Sequence, residues 1–487
     1  MWRELKNLTQ NTLIYSAGDL AVKALAFLLI PLYTHYLTPA EYGVVSLLLV
    51  LEAILLLMLN FGLNSALLKY CGESRNPLEK QRVVSTTFLS ILLFSLPLVG
   101  TLLYLSQPLT LLILGQKIYE PYLRIVLIAV FFNNLRLTLL STLRAENRAV
   151  LYSLMNLAHF SLLIGWNVYN VALLKKAILG IVQSNLYTAL ILFGIVGIYL
   201  LTKYPPRFSP AQLKRMLRFG LPLLPASLAI WILTWSDRYL LRLLTNYSEV
   251  GLYDVAYKFG MIVNMVLVTP FRTAWLPFLF SVRDNPDSER IYGTVLTYFL
   301  IAAMALFLLL SLFSREIVRL LTTPDYLPAH RAIPLIALGY LCYGVYYIVD
   351  AGVLLEGKTQ FYPLITGAGA ALNVGLNLWL IPRFGMMGAA LATLIAYVFI
   401  ACAMYWASRI CHPIAYERDR LAKVLLAGAL VMTMDQLFQT DRLSIAFPLK
   451  GLIWMTFPIF LWMFRFFQPE EKEKISQWTA HLLRRAY

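Results

Sequence analysis

About fourteen hydrophobic segments, most of them roughly 19 to 25 residues long and parted by short polar breaks, run through this chain. A helix of that length rises about 30 Å, the thickness of the hydrocarbon layer. With 60% hydrophobic and only 14% charged residues among 487, and a mean hydropathy of +0.69, the sequence carries more apolar surface than a soluble core could bury. The expected fold class is an all-α polytopic membrane protein of about 14 transmembrane helices, because helices satisfy their own backbone groups where no water can. The spans fall near 13–37, 44–68, 84–106, 123–143, 152–174, 178–201, 220–244, 251–280, 292–313, 333–355, 361–381, 387–407, 422–437 and 449–467. The segment at 422–437 is the weakest, being short, with Asp435 near its end.

Lys and Arg concentrate in alternate breaks, 25 on one side against 10 on the other. By the positive-inside rule the richer side is cytoplasmic, which places both termini in the cytoplasm. The first hydrophobic segment is too long for a signal-peptide core and lacks a small-residue cleavage site, so it is expected to remain as the first helix. The net charge of +16 resides mostly in the cytoplasmic loops, where it attracts anionic membrane lipids, and it does not indicate nucleic acid. Cys71, Cys342, Cys402 and Cys411 have no paired spacing, and the five histidines have no metal-ligand spacing. A phosphate-binding loop motif is absent too. No cofactor, metal or catalytic residue is therefore expected, and with loops too short for a catalytic domain the function must lie within the helix bundle.

The chain repeats itself at an offset of about 208 to 210 residues. Leu37-Thr38-Pro39-Ala40-Glu41-Tyr42-Gly43 corresponds to the stretch from Leu244 to Gly251, pairing Glu41 with Glu249 and Gly43 with Gly251. Glu146 and Arg148 likewise correspond to Glu356 and Lys358, and Asn167 to Asn377. Six spans separate each pair, and an even number makes the repeats parallel. The expected organisation is an N-terminal six-helix lobe over 1–208, a C-terminal six-helix lobe over 209–410, and two extra helices with a cytoplasmic tail over 411–487.

Charges inside the spans are the candidates for function, since each costs roughly 2.5 to 3.5 kcal/mol at the bilayer centre on insertion scales. Asp19 and Lys23 share a face of the first span. In the seventh, Ser227, Trp231, Thr234, Trp235 and Arg238 form a stripe of the composition of a wet, aromatic-lined wall, with Asp237 alongside. In the eighth, Asp254, Lys258, Met261, Met265, Thr269 and Arg272 follow three- and four-residue steps along one face. Lys23, Arg136, Arg238, Lys258 and Arg272 are thus candidate ligands for an anionic substrate, the alternative being buried ion pairs that fix helix register. Glu52 and Asp350 either balance those cations or titrate with protons. Together with Asp19 and Asp237 they are the candidates for ion coupling. Asn60 and Asn64 in the second span are candidate cavity-lining residues, although interhelical hydrogen bonding also explains them, and it explains Asn156, His159, Asn167 and Asn170 in the fifth.

Several of these stretches resemble the polysaccharide transporter branch of the multidrug/oligosaccharidyl-lipid/polysaccharide (MOP) superfamily, the Wzx-type O-antigen flippases. The resemblance rests on Leu37 to Gly43, on Phe219-Gly220-Leu221-Pro222-Leu223-Leu224-Pro225 running to Ser236-Asp237-Arg238-Tyr239, on Glu249 to Tyr253, and on Asn377 to Thr393. It implies two six-helix lobes around a central cationic cavity, in which Lys23, Arg238 and Lys258 match basic positions. It also implies transport of an undecaprenyl-diphosphate-linked oligosaccharide (an O-antigen, capsule or exopolysaccharide repeat unit) to the outer leaflet of a bacterial or archaeal inner membrane. A glycan polymerase and chain-length enzymes are the partners such a pathway implies. Lys and Arg would hold the diphosphate, and Trp231 and Trp235 would stack on sugars. Lys23→Ala, Arg238→Ala and Lys258→Ala are then each expected to reduce transport while leaving the protein in the membrane. A related lipid II flippase would carry arginines in the first span, where this chain has Lys23. A cation-coupled multidrug exporter of the same superfamily usually has twelve spans and acidic cavities. A membrane glycan polymerase or ligase would need a large outer loop.

Overall fold

The computed structural model describes residues 27–74, 76–438, 442–469 and 471. Among them the chain is helical throughout, with no strand, and twelve helices are long and apolar enough to cross a membrane. These coincide with twelve of the expected segments. The expected first span, 13–37, lies largely outside the described residues. The segment at 422–437 forms the helix Arg418–Leu437, which carries Asp419, Arg420, Lys423 and Asp435 and is not among the twelve.

Local sequence sets the helix ends. Thr38 caps the helix Pro39–Leu59 by accepting from the Glu41 N–H at 3.3 Å, while Glu41 accepts from the Thr38 N–H at 2.9 Å, a capping box with proline at the first position. Asn76 and Ser209 cap the helices Pro77–Tyr104 and Pro210–Gly220 by accepting from the Leu78 and Gln212 N–H groups. The expected second span is broken at Asn60-Phe61-Gly62. Phe61 and Gly62 have φ of 50° and 70°, a reversal that glycine tolerates, and the chain restarts as the helix Leu63–Glu73. Asn60 accepts from the Asn64 N–H at 3.0 Å, so its side chain organises the restart.

The chain forms two compact units, one of residues 1–258, 319–332 and 362–396, the other of the remainder. In the first, helices Leu63–Glu73, Pro77–Tyr104, Glu120–Ala145 and Ala177–Lys203 enclose a core that includes Leu67, Val84, Ile91, Leu139 and Leu143. In the second, the helix Ser288–Leu312 packs on Ile333–Val349, Arg418–Leu437 and Leu443–Met463. The last span is expected to start at 449. The last helix instead begins at Leu443 and buries Lys450, whose ammonium lies 2.8 Å from Glu316 and donates to the Leu312 carbonyl at 2.7 Å.

The repeated segments of the first unit touch each other. A Cβ at Gly43 would overlap the Tyr247 carbonyl, and one at Gly251 would overlap the Pro39 carbonyl. Each partner is 208 residues from its counterpart, so the contact is reciprocal, as in a pair related by a two-fold axis. The caps correspond too, since Asn246 accepts from the Glu249 N–H at 3.0 Å as Thr38 does from Glu41. Gly43→Ala and Gly251→Ala should each destabilise this packing by roughly 1–3 kcal/mol, the usual cost of overpacking. Gly72→Ala, where nothing lies within 4 Å, should not. Thermal unfolding of the detergent-extracted protein checks all three.

Candidate functional site

The charges of the seventh and eighth spans converge in the first unit. The helix Leu224–Leu244 supplies Asp237 and Arg238, the helix Tyr247–Gly260 supplies Asp254 and Lys258, and the helix Pro39–Leu59 supplies Tyr42. The Arg238 guanidinium lies 2.9 Å from Asp237 and 3.3 Å from Asp254, and donates to the Thr234 carbonyl at 3.0 Å. Lys258 lies 3.1 Å from the other oxygen of Asp254 and donates to the Tyr42 hydroxyl at 2.5 Å. The Tyr253 hydroxyl donates to Asp237. Two cations meet two carboxylates, which is what makes four charges tolerable in an apolar span.

Rings complete the enclosure. The guanidinium carbon sits 3.9 Å from the centre of the Tyr257 ring, 4.8 Å from Trp235 and 5.2 Å from Tyr253, within cation–π range. Arg238 has no exposed surface. The arginine read as part of a wet wall is therefore the sealed centre of an ion network in this state, and Asp237 is one of its counterions. Lys258 differs, with 30% of its side chain exposed. Trp231 is half-buried beside Tyr239, and Trp235 is engaged with Tyr257 and Arg238. Lys23 and Asp19 lie outside the described residues.

The period assumed for the eighth span does not hold over its length. A π-turn occupies Asn264–Val268 and gives way to a new helix at Thr269, with Pro270 in its first turn. The wider turn absorbs the proline, which can neither donate nor fit beneath the preceding carbonyls. Thr269 and Arg272 consequently do not continue the Asp254–Lys258 stripe. Arg272 lies in the second unit, exposed, its guanidinium 4.2 Å from the centre of the Tyr347 ring. It meets no carboxylate among the described residues. Asp350, in the same unit, is buried at the start of the helix Ala351–Leu355.

Glu52 and Arg136 belong to another polar group of the first unit. The two carboxylate oxygens of Glu52 accept from Asn133 at 2.8 Å and Asn185 at 2.6 Å. Arg136 has a buried Nε without a hydrogen-bond partner, as has the Nδ1 of buried His159. Asn133, Asn185, Tyr42, Tyr253 and Tyr257 were not singled out from the sequence. The tyrosines had a signal, since Tyr253 and Tyr257 flank Asp254 and Lys258 at the same four-residue step. Asn60 and Asn64 lie at the helix break described above.

Removing the guanidinium would strand Asp237 and part of Asp254 in a dry site. Arg238→Ala should therefore destabilise the protein by about 3–5 kcal/mol and lower the amount recovered from membranes, which departs from the expectation of a purely transport-defective variant. Lys258→Ala, at a partly exposed position, should leave folded protein. Size-exclusion profiles and melting of the two variants distinguish these effects.

Residues 8–283 match the family model described as polysaccharide biosynthesis protein. The chain is similar to the lipid III flippase of Escherichia coli strain K12, with 23% identity over 80% of this chain and 97% of that protein. Its fold is that of a lipid II flippase MurJ solved in an inward closed conformation, with a TM-score of 0.75, 17% identity, and coverage of 92% of this chain and 99% of that one. It is also similar to an inward-facing multidrug resistance MATE transporter of the MOP superfamily, with a TM-score of 0.64, 16% identity, and coverage of 80% and 94%. The capped, glycine-paired helices and the membrane-embedded ion network thus sit in a multi-pass fold shared with those transporters, and the chain is a member of the polysaccharide biosynthesis protein family.

Proposed function

We propose that this protein flips an undecaprenyl-diphosphate-linked oligosaccharide, an O-antigen, capsule or exopolysaccharide repeat unit, from the cytoplasmic to the outer leaflet of an inner membrane. The observation that carries this reading is Arg272, an exposed guanidinium in a membrane span, backed by the Tyr347 ring and facing no carboxylate among the described residues. A planar fork with unspent donors suits a diphosphate. Lys258, with its exposed part, and Arg136, with its unpaired Nε, are the further candidate cations, both in the first unit. The lipid III flippase similarity and the polysaccharide family match support a lipid-linked glycan over a drug.

In this reading both termini are cytoplasmic and the lobes 1–208 and 209–410 rock against each other to expose the cations to either leaflet in turn, with 411–487 as an appendage. Glu52, held by two amides, is the carboxylate placed to exchange a proton or sodium ion during that cycle, and Asp19, Asp237 and Asp350 are the other coupling candidates. Glycan polymerase and chain-length enzymes would act on the product.

In liposomes containing the protein, a fluorescent undecaprenyl-diphosphate oligosaccharide should change leaflets. Arg272→Ala should slow it by roughly tenfold or more, the worth of one charge-assisted bidentate contact, with the fold intact. Efflux of a cationic drug without movement of the lipid would replace this function with multidrug export.

A further inference from the structure

The first unit also contains an apolar cleft of about 600 Å³ outside the ion network. Its walls are Phe61, Phe94, Pro97 and Leu98, closed by Leu217 and Leu221. Thr101, the one polar residue that lines it among the described residues, donates its hydroxyl to the Pro97 carbonyl at 2.9 Å. Three sequence features build this space. Pro97 interrupts the hydrogen bonding of the helix Pro77–Tyr104. The positive φ of Phe61 and Gly62 turns the Phe61 ring edge-on to Phe94, with centroids 5.8 Å apart. Gly62 and Gly220 then approach so closely that a Cβ on either would overlap the other's backbone, which docks the helix Pro210–Gly220 along the rim.

That helix is amphipathic in an informative way. Met216 is buried in the core of the unit, and Arg215 is taken up by the Tyr70 ring at 4.3 Å and Glu79 at 3.9 Å. Lys214, Leu217, Arg218 and Leu221 follow at i, i+3, i+4 and i+7 and therefore share one face. Two of these four line the cleft, and the other two are exposed cations that meet no carboxylate among the described residues. A basic helix face beside an apolar slot is the complement of a lipid with a negative head and a hydrocarbon tail.

We infer that this cleft is a binding site for an anionic glycerophospholipid, with one acyl chain along Phe61, Phe94 and Leu98 and the phosphate between Lys214 and Arg218. The volume suits a single acyl chain, and an undecaprenyl tail, far bulkier, would overfill it. The assignment does not rest on the proposed transport substrate.

Native mass spectrometry of the full-length protein with phosphatidylglycerol, phosphatidylcholine or undecaprenyl phosphate at equal concentration tests it. The expected result is one retained phosphatidylglycerol per chain, in preference to phosphatidylcholine. Lys214→Gln with Arg218→Gln, both at exposed positions, should erase that preference, a change of roughly tenfold or more for two cations beside an anionic head group. Leu217→Trp should fill the slot and reduce retention of phosphatidylglycerol. Equal retention of the two phospholipids by the unaltered protein, or a preference that survives the double substitution, would overturn the site. Displacement of phosphatidylglycerol by undecaprenyl phosphate would reassign the cleft to a polyprenyl carrier and overturn the phospholipid.

Discussion

A charge in hydrocarbon must be neutralised, solvated or used, and the ion network of the first unit follows from that constraint. Arg238 sits between Asp237 and Asp254, and Asp254 shares its second oxygen with Lys258, so each charge has an opposite within about hydrogen-bond reach. The Coulombic gain alone need not exceed the desolvation cost of four ions. Two further hydrogen bonds, from the Tyr253 hydroxyl to Asp237 and from Arg238 to the Thr234 carbonyl, satisfy valences that would otherwise be orphaned, and three aromatic faces replace water around the guanidinium. Helices Leu224–Leu244, Tyr247–Gly260 and Pro39–Leu59 are thereby held in one register, and Tyr42 reaches Lys258 from the turn that carries Gly43.

That register meets a second constraint one residue away. Gly43 and Gly251 let two helix N-termini approach until backbone meets backbone, and only glycine permits that. Nearby, the buried Tyr326 donates to the Leu37 carbonyl at 2.9 Å and lies edge-on to Tyr42, while Tyr247 donates to the Leu114 carbonyl and lies edge-on to Tyr119. Burial pushes the Tyr326 phenol above its ordinary range, so it stays protonated as a donor. Such contacts depend on the absence of side chains and on single hydroxyls, and few interactions would have to break for the two ends to part.

Much of this was legible before any coordinates. Span positions follow from hydrophobic length, because the bilayer imposes it, and the pairing of Glu41 with Glu249 and Gly43 with Gly251 pointed to segments that do pack together. Periodicity failed where the backbone stops being α-helical. Asn60-Phe61-Gly62 sits amid apolar residues and reads as continuous span, yet two positive φ values end the helix there. Pro270 stands in the sequence, but its accommodation by a π-turn, with loss of the face that was to join Lys258 to Arg272, is not legible there. Burial was the hardest quantity to foresee, since whether Arg238 faces water depends on Asp254 and Tyr257 from another helix. Sequence spacing records only neighbours on its own helix.

The cations therefore divide into two kinds that the sequence cannot separate. Arg238 is spent, each of its guanidinium nitrogens hydrogen-bonded and rings packed around it. Arg272 and Arg136 keep unpaired donors, and Lys258 stands between, paired on one side and exposed on the other. This division fits the proposed function, the movement of a diphosphate through a membrane. A path lined wholly by unpaired cations would be unstable when empty and would hold a diphosphate too tightly when full. Spreading the charge so that some is compensated internally keeps binding strong enough to draw the head group from water and weak enough to release it. Under the proposed function Asp254 matters as much as the cations, because it pairs with Lys258 and would set how much of that charge an anionic substrate could claim.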